Sequence, residues 1–127
     1  MEGMISCAKK VLAAGVPVGL GTDTACPFVT HYDMWRELVY FKKFVGVSNA
    51  FALHTATQVN AEIAGIDGET GTVEVGKSAD FVITDKSPLE DLTALRTPYM
   101  VVMRGKTIKN PRVKKFDYVE TELDKLL

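Results

Sequence analysis

Apolar positions follow a helical period through the first half of the chain and a strand-and-turn rhythm through the second. Met4, Ile5, Ala8, Val11 and Leu12 share one helix face, with Ser6, Lys9 and Lys10 opposite. Gly15 and Pro17 stop that pattern. Residues 16–20 (Val-Pro-Val-Gly-Leu) are short, apolar and non-alternating, as in a strand buried on both faces, and they run into Gly21-Thr22-Asp23-Thr24. A second helix is predicted over residues 32–45, where Met34, Trp35, Leu38, Phe41 and Val45 form one stripe and Asp33, Arg36, Glu37 and Lys43 lie opposite. Gly46 ends it. Ser48 or Asn49 can cap the next helix, through Phe51, Ala52, Leu53 and Ala56. A third short helix is predicted over residues 58–64, closed by Gly65.

Beyond that point the grammar changes. Gly68, Gly71 and Gly76 punctuate a predicted strand at 72–75, and further strands are predicted at 79–84 and 99–103. Arg104-Gly105-Lys106 reads as a hairpin turn that lets Thr107 and Ile108 pair back. From Val113 onward the chain is charged and helix-prone near its end. The order is that of an α/β layer followed by a small antiparallel sheet. One buried parallel strand cannot form a sheet by itself, so the pattern calls for strands that this stretch does not carry.

Fifteen basic and sixteen acidic residues leave a formal net charge of −1, without the basic excess of a nucleic-acid binder. Only residues 104–115 are locally basic, and a solvated hairpin and tail account for them. Cys7 and Cys26 form no C-x-x-C pair, which argues against a zinc ribbon or a thioredoxin-type site and for reduced thiols in the cytoplasm. No run approaches the roughly 20 apolar residues of a membrane span, and the start of the chain is unlike a signal peptide. The expectation is a soluble cytoplasmic protein with neither nucleic-acid nor membrane partners.

Asp23 is the leading candidate for chemistry. It falls at the C-terminal end of the predicted buried strand, where barrel enzymes place catalytic groups, and a carboxylate there can bind a metal or take a proton from water. The competing reading is that it caps the following turn. His31 and His54 lack the i, i+4 spacing of a helical metal pair and read as structural or surface residues. Gly19 and Gly21 begin a G-x-G, but Thr24 stands where a dinucleotide fingerprint needs its third glycine. Cys26 reads as a buried, inert thiol.

Three stretches carry a family resemblance. Residues 15–23, ending in Gly21-Thr22-Asp23, resemble the last barrel strand of the amidohydrolase superfamily. Residues 52–65 (ALHTATQVNAEIAG) resemble its A-x-x-x-A-T-x-x-x-A-x-x-x-G helical stretch. Residues 71–83 (GTVEVGKSADFVI) match its G-x-I-x-x-G-K-x-A-D signature, with Val73 in place of the isoleucine. Pro88-Leu89-Glu90-Asp91 and residues 103–108 fit the usual ending, and the imidazolonepropionase-like and prolidase-like branches are nearest.

The resemblance implies an α/β fold. Residues 1–66 would be the last βα segment of a TIM-type (β/α)8 barrel, residues 67–112 antiparallel strands of a small β-sandwich, and residues 113–127 a C-terminal tail. It implies a divalent metal, zinc in the usual case, held by an H-x-H pair, a carboxylated lysine or glutamate, two more histidines and the last-strand aspartate. Asp23 alone corresponds to that set. It would bind metal, orient the water and take its proton, whereas Gly76, Lys77 and Asp80 would be structural. The implied activity is hydrolysis of a C–N bond in a small-molecule cyclic amide, amidine or dipeptide. The chain by itself is expected to hold no metal and to be inactive, a C-terminal fragment. The alternatives are a non-catalytic interaction domain, which would associate as a homo-oligomer, and one half of a split enzyme completed by a partner chain.

Overall fold

The computed structural model describes residues 2–127. The first helical period folds as α1, Glu2–Ala13, which buries none of its residues fully. The second folds as α2, Met34–Tyr40, prolonged by one π turn, Phe41–Val45, and stopped by Gly46 at φ 91°. Ser48 caps α3, Asn49–His54, its hydroxyl accepting from the Phe51 amide at 3.1 Å.

The separate short helix expected at 58–64 is instead the end of the same rod. α3 passes through a π turn, Thr55–Val59, into α4, Asn60–Ala64, and stops at Gly65 with φ 69°. No breaker separates the segments. Thr57 donates its hydroxyl back to the Leu53 carbonyl at 2.7 Å, a local bond that competes with the helical ladder where the turn widens.

Leu38, Phe41, Ala52 and Leu92 form the fully buried core, and Leu12, Leu20 and Met34 pack against it. Leu92 arrives on a 3-10 helix, Leu92–Arg96, capped by the Asp91 carboxylate accepting from the Thr93 amide.

The strand predicted at 16–20 is extended but joins no ladder. No neighbouring strand is within the described residues to pair with it, and a side chain takes the ladder's place. Asn60 accepts from the Leu20 amide and donates to the Leu20 carbonyl, both at 2.9 Å. Gly19 permits this approach, because a Cβ there would stand 2.7 Å from Asn60 Oδ1.

The second half forms a three-stranded antiparallel sheet in the order β1 (Phe81–Ile83), β2 (Met100–Met103), β3 (Lys106–Lys109). Phe81 pairs with Val102 and Val101 with Ile108. Arg104 and Gly105 both take positive φ, the geometry of a two-residue primed hairpin turn. Asp80 fastens that turn: its carboxylate accepts from the Arg104 amide at 2.7 Å and from the Thr70 hydroxyl at 3.2 Å. These bonds, the amide first, hold its carboxyl below the ordinary range.

Residues 72–75 do not form the expected strand. With no partner strand among the described residues, local bonds fold the segment as a turn. Thr72 donates to Glu74 at 2.6 Å and accepts from Lys77 at 2.5 Å, leaving Val73 and Val75 exposed. Both faces of the sheet also remain largely open, with Phe81, Val82, Ile83, Met103 and Ile108 exposed. Among the described residues no second sheet covers them.

Residues 113–127 are more than a solvated tail. They form α5, Asp117–Asp124, which lies on α2 and buries two residues of the face expected to meet solvent, while the apolar stripe is buried as expected. Arg36 is 1% exposed and Asp33 5%, although the helical period assigned both to solvent. The reason is the charge of α5, whose Glu120 and Asp124 lie 3.0 and 2.7 Å from the Arg36 guanidinium.

Candidate functional site

Asp23 lies where the apolar extended segment gives way to a loop, residues 21–32. Its side chain is exposed, and among the described residues it makes no hydrogen bond or ion pair. Its backbone is left-handed at φ 51°, and Ala25 and Phe28 follow at φ 94° and 64°. Three non-glycine residues with positive φ within six positions are uncommon. Each costs about 1–3 kcal/mol, and such strain concentrates at functional sites. Little inside the loop offsets it: the Thr22 and Thr24 hydroxyls share a 2.6 Å hydrogen bond, and the Val29 amide donates to the Cys26 carbonyl. The turn-cap role weighed for Asp23 has no bond to support it.

The loop re-enters the body of the protein through Asp33. Its carboxylate accepts from the Thr30 hydroxyl at 2.7 Å and from Arg36 Nε at 3.1 Å. Arg36 then donates through Nη1 to Asp124 at 2.7 Å, and its Nη2 lies 3.0 Å from Glu120 Oε2, close enough for an ion pair but off the donor direction. Arg96 reaches the same two carboxylates at 3.0 and 2.9 Å. The Trp35 ring lies beneath both guanidiniums, 4.5 and 5.3 Å from them. Partial burial disfavours the Asp124 carboxylate, but hydrogen bonds from Arg36 and then Arg96 outweigh it and hold its carboxyl below the ordinary value. This cluster escaped the sequence reading. The signal was available in the acidic i, i+4 pair Glu120 and Asp124, on the helix-prone tail and matched in charge to Arg36 and Arg96.

The other candidates do not join Asp23. His31 is exposed, its ring edge-on to Tyr32 at 5.2 Å. His54 is exposed and lines a groove of about 300 Å3 with Val16, Pro17 and Phe51, floored by the buried, unpartnered Thr55 hydroxyl. Cys26, expected to be buried, is exposed because its loop lies outside the core. Among the described residues no three His, Cys, Asp or Glu side chains converge to hold a metal ion. A stable site takes about four ligands, and Asp23 supplies one. The residues present do not by themselves fit a complete metal site. No helix among the described residues is long and apolar enough to cross a membrane.

Comparison with known proteins shows the family to which the chain belongs. The sequence model of the amidohydrolase family matches residues 2–109. The imidazolonepropionase of Syntrophobacter fumaroxidans is 38% identical over 84 residues, which is 64% of this chain and 19% of that protein. A 5-methylthioadenosine/S-adenosylhomocysteine deaminase of Syntrophus aciditrophicus is 31% identical over 99 residues, covering 72% and 22%. Among solved structures, a candidate prolidase from Bifidobacterium longum superposes with a TM-score of 0.92 at 45% identity, over 96% of this chain and 30% of that one. A Xaa-Pro dipeptidase with methionine in its active site superposes with a TM-score of 0.75 at 28% identity, over 83% and 25%. The chain thus spans about a fifth of the length of these curated relatives and under a third of the solved chains. With its signature residues, its family match and its superposition in agreement, the chain belongs to the amidohydrolase family, whose enzymes hydrolyse C–N bonds and are generally metal-dependent.

Proposed function

We propose that this chain is the last βα segment and C-terminal sheet of a metal-dependent amidohydrolase, and that Asp23 is the carboxylate it contributes to the active site. The observation that carries this reading is the placement of Asp23: exposed, unpartnered and left-handed, at the end of the extended apolar segment. A turn cap would be hydrogen-bonded, whereas a group reserved for a ligand or a reacting water is left free. In the assembled site its carboxylate would be one ligand of a divalent ion, zinc in the usual case, with the others supplied by the rest of the barrel, and would be placed to take a proton from water. The substrate is a small molecule with a C–N bond in a cyclic amide, amidine or dipeptide. A Xaa-Pro dipeptide is the first to try, given the prolidase and dipeptidase likenesses. Alone, the chain is inactive.

A chimera tests this. The matching segment of the Bifidobacterium longum chain is replaced by this one, and dipeptide hydrolysis and metal content are measured with Asp23 and with Asp23→Asn. The expected result is a metal-loaded, active chimera that loses at least a hundredfold in kcat on Asp23→Asn, the order of a lost catalytic group. A metal-loaded chimera whose Asp23→Asn variant keeps its rate would overturn the assignment. A second reading, one half of a split enzyme, is favoured by the incomplete ligand set. It predicts stoichiometric binding of a separate chain that carries the remaining ligands.

A further inference from the structure

The strained loop that carries Asp23 is held from outside, and the holder is the C-terminal segment. Phe28 keeps a left-handed backbone unusual for a bulky residue, and its ring meets the Tyr118 ring at 5.9 Å. Four residues on, where the loop finishes, the Tyr32 hydroxyl accepts from the Phe116 amide at 3.2 Å, and Lys115 Nζ lies 5.9 Å from the Tyr32 ring. The segment making these contacts is itself locked down. Glu120 and Asp124 of α5 are gripped by Arg36 and Arg96, the Tyr40 hydroxyl donates to the Leu123 carbonyl, and Lys43 donates to the Leu126 and Leu127 carbonyls. Residues 115–124 thus tie α2 to the second half of the loop, at Phe28 and Tyr32. They also lie beyond residues 2–109, the span of the family-wide pattern.

We infer that residues 115–124 are a clamp that sets the conformation of the Asp23 loop, with Tyr118 and Tyr32 as positioning residues. The functional meaning of the clamp rests on the reading of Asp23 given above; its existence does not. Tyr118 acts through Phe28, and its ring, not its hydroxyl, makes the contact. The residue is largely exposed, at 68%, so global stability gives little reason for its place there.

Hydrogen exchange by mass spectrometry on the full chain tests the clamp, comparing the native sequence with Tyr118→Ala, Tyr118→Phe and Tyr32→Phe. Tyr118→Ala should speed exchange across residues 21–32 by about tenfold while residues 49–64 and 100–109 are unchanged, because only local opening is made easier. Tyr118→Phe keeps the ring and should restore the native rates. Tyr32→Phe removes only the acceptor for the Phe116 amide and should give a rise of about threefold in the same segment. Unchanged exchange in the loop of Tyr118→Ala, or an equal rise in all segments, would overturn the clamp. The measurement needs neither metal nor substrate. A clamp that passes beside a chimera indifferent to Asp23→Asn would leave the clamp standing and remove Asp23 from catalysis.

Discussion

Replacing Arg36 with methionine is the most informative single change to this fold. The substitution keeps an unbranched stem over Trp35 but deletes the guanidinium that faces Asp33, Glu120 and Asp124. Two of those partners are fully enclosed, at 5% and 8% exposure for Asp33 and Glu120. Breaking a buried ion pair from one side costs about 3–5 kcal/mol, because a charge is left without compensation. Arg96 still reaches Glu120 and Asp124, and Thr30 still donates to Asp33, so the loss should fall at the low end, about 3 kcal/mol. For a chain of this length that is a fall in Tm of about 11 °C, taking about 2.1 cal/mol/K per residue. Arg96→Met is the control. Its side chain is 31% exposed and Arg36 remains to serve the same carboxylates, so about 1 kcal/mol is expected. Urea unfolding followed by Trp35 fluorescence reads both, since the lone tryptophan lies under both guanidiniums. A loss below about 1 kcal/mol for Arg36→Met, the size of an ordinary surface change, would refute the reasoning. So would equal losses for the two arginines.

Three further outcomes are expected. Gly71 sits at φ 94° with its Cβ site 2.6 Å from Ala61 Cβ, so Gly71→Ala should cost about 3 kcal/mol from strain and overpacking together; Gly76→Ala, at φ 96° with open space around it, should cost only about 1 kcal/mol by the same urea titration. The Asp124 carboxyl has its pKa lowered on folding, so its stabilisation is present above the unfolded value near 4 and is lost as pH falls through the folded one. Asp124→Asn should therefore flatten the acid limb of the stability curve below about pH 4, less so in high salt because the group is partly exposed, whereas Glu37, pushed up by burial, works in the opposite sense above 4.5 in both proteins. An unaltered acid limb would count against the Arg36–Asp124 bond. Finally, with Met4, Val16, Phe28, Phe51 and Val82 all exposed, sedimentation equilibrium at micromolar concentration should show association, a homodimer first; a single 13.9 kDa species with cooperative unfolding would refute it.

Features that depend on neighbours in sequence were legible, and those that depend on distant partners were not. The stripe through Trp35, Leu38 and Phe41 declared its helix, and Gly46 and Gly65 declared the ends. The hairpin at Arg104-Gly105 was equally plain. Residues 16–20 carried an apolar strand signal, but a strand is a relation between two segments, and here Asn60 answers in place of a second backbone. Arg36 was assigned to solvent because the carboxylates that bury it arrive more than eighty residues later. The 3-10 helix at Leu92–Arg96 has no periodicity long enough to read. In the candidate site, the position of Asp23 followed from the apolar run before it. The positive φ at Ala25 and Phe28 left no trace, since neither residue type favours it.

The wide turn at Thr55–Val59 bears on how the length of this segment can vary. The Asn60 amide donates to the Thr55 carbonyl five residues back, so the turn holds one residue more than an α turn would. A one-residue deletion inside 55–59 can therefore be absorbed by reversion to a regular α turn, with the faces of the flanking helix preserved. The same deletion between Asn49 and His54 would rotate everything that follows by about 100° and swing Asn60 away from Leu20. A gap in an alignment of this rod consequently belongs at 55–59, where the backbone has already made room for it.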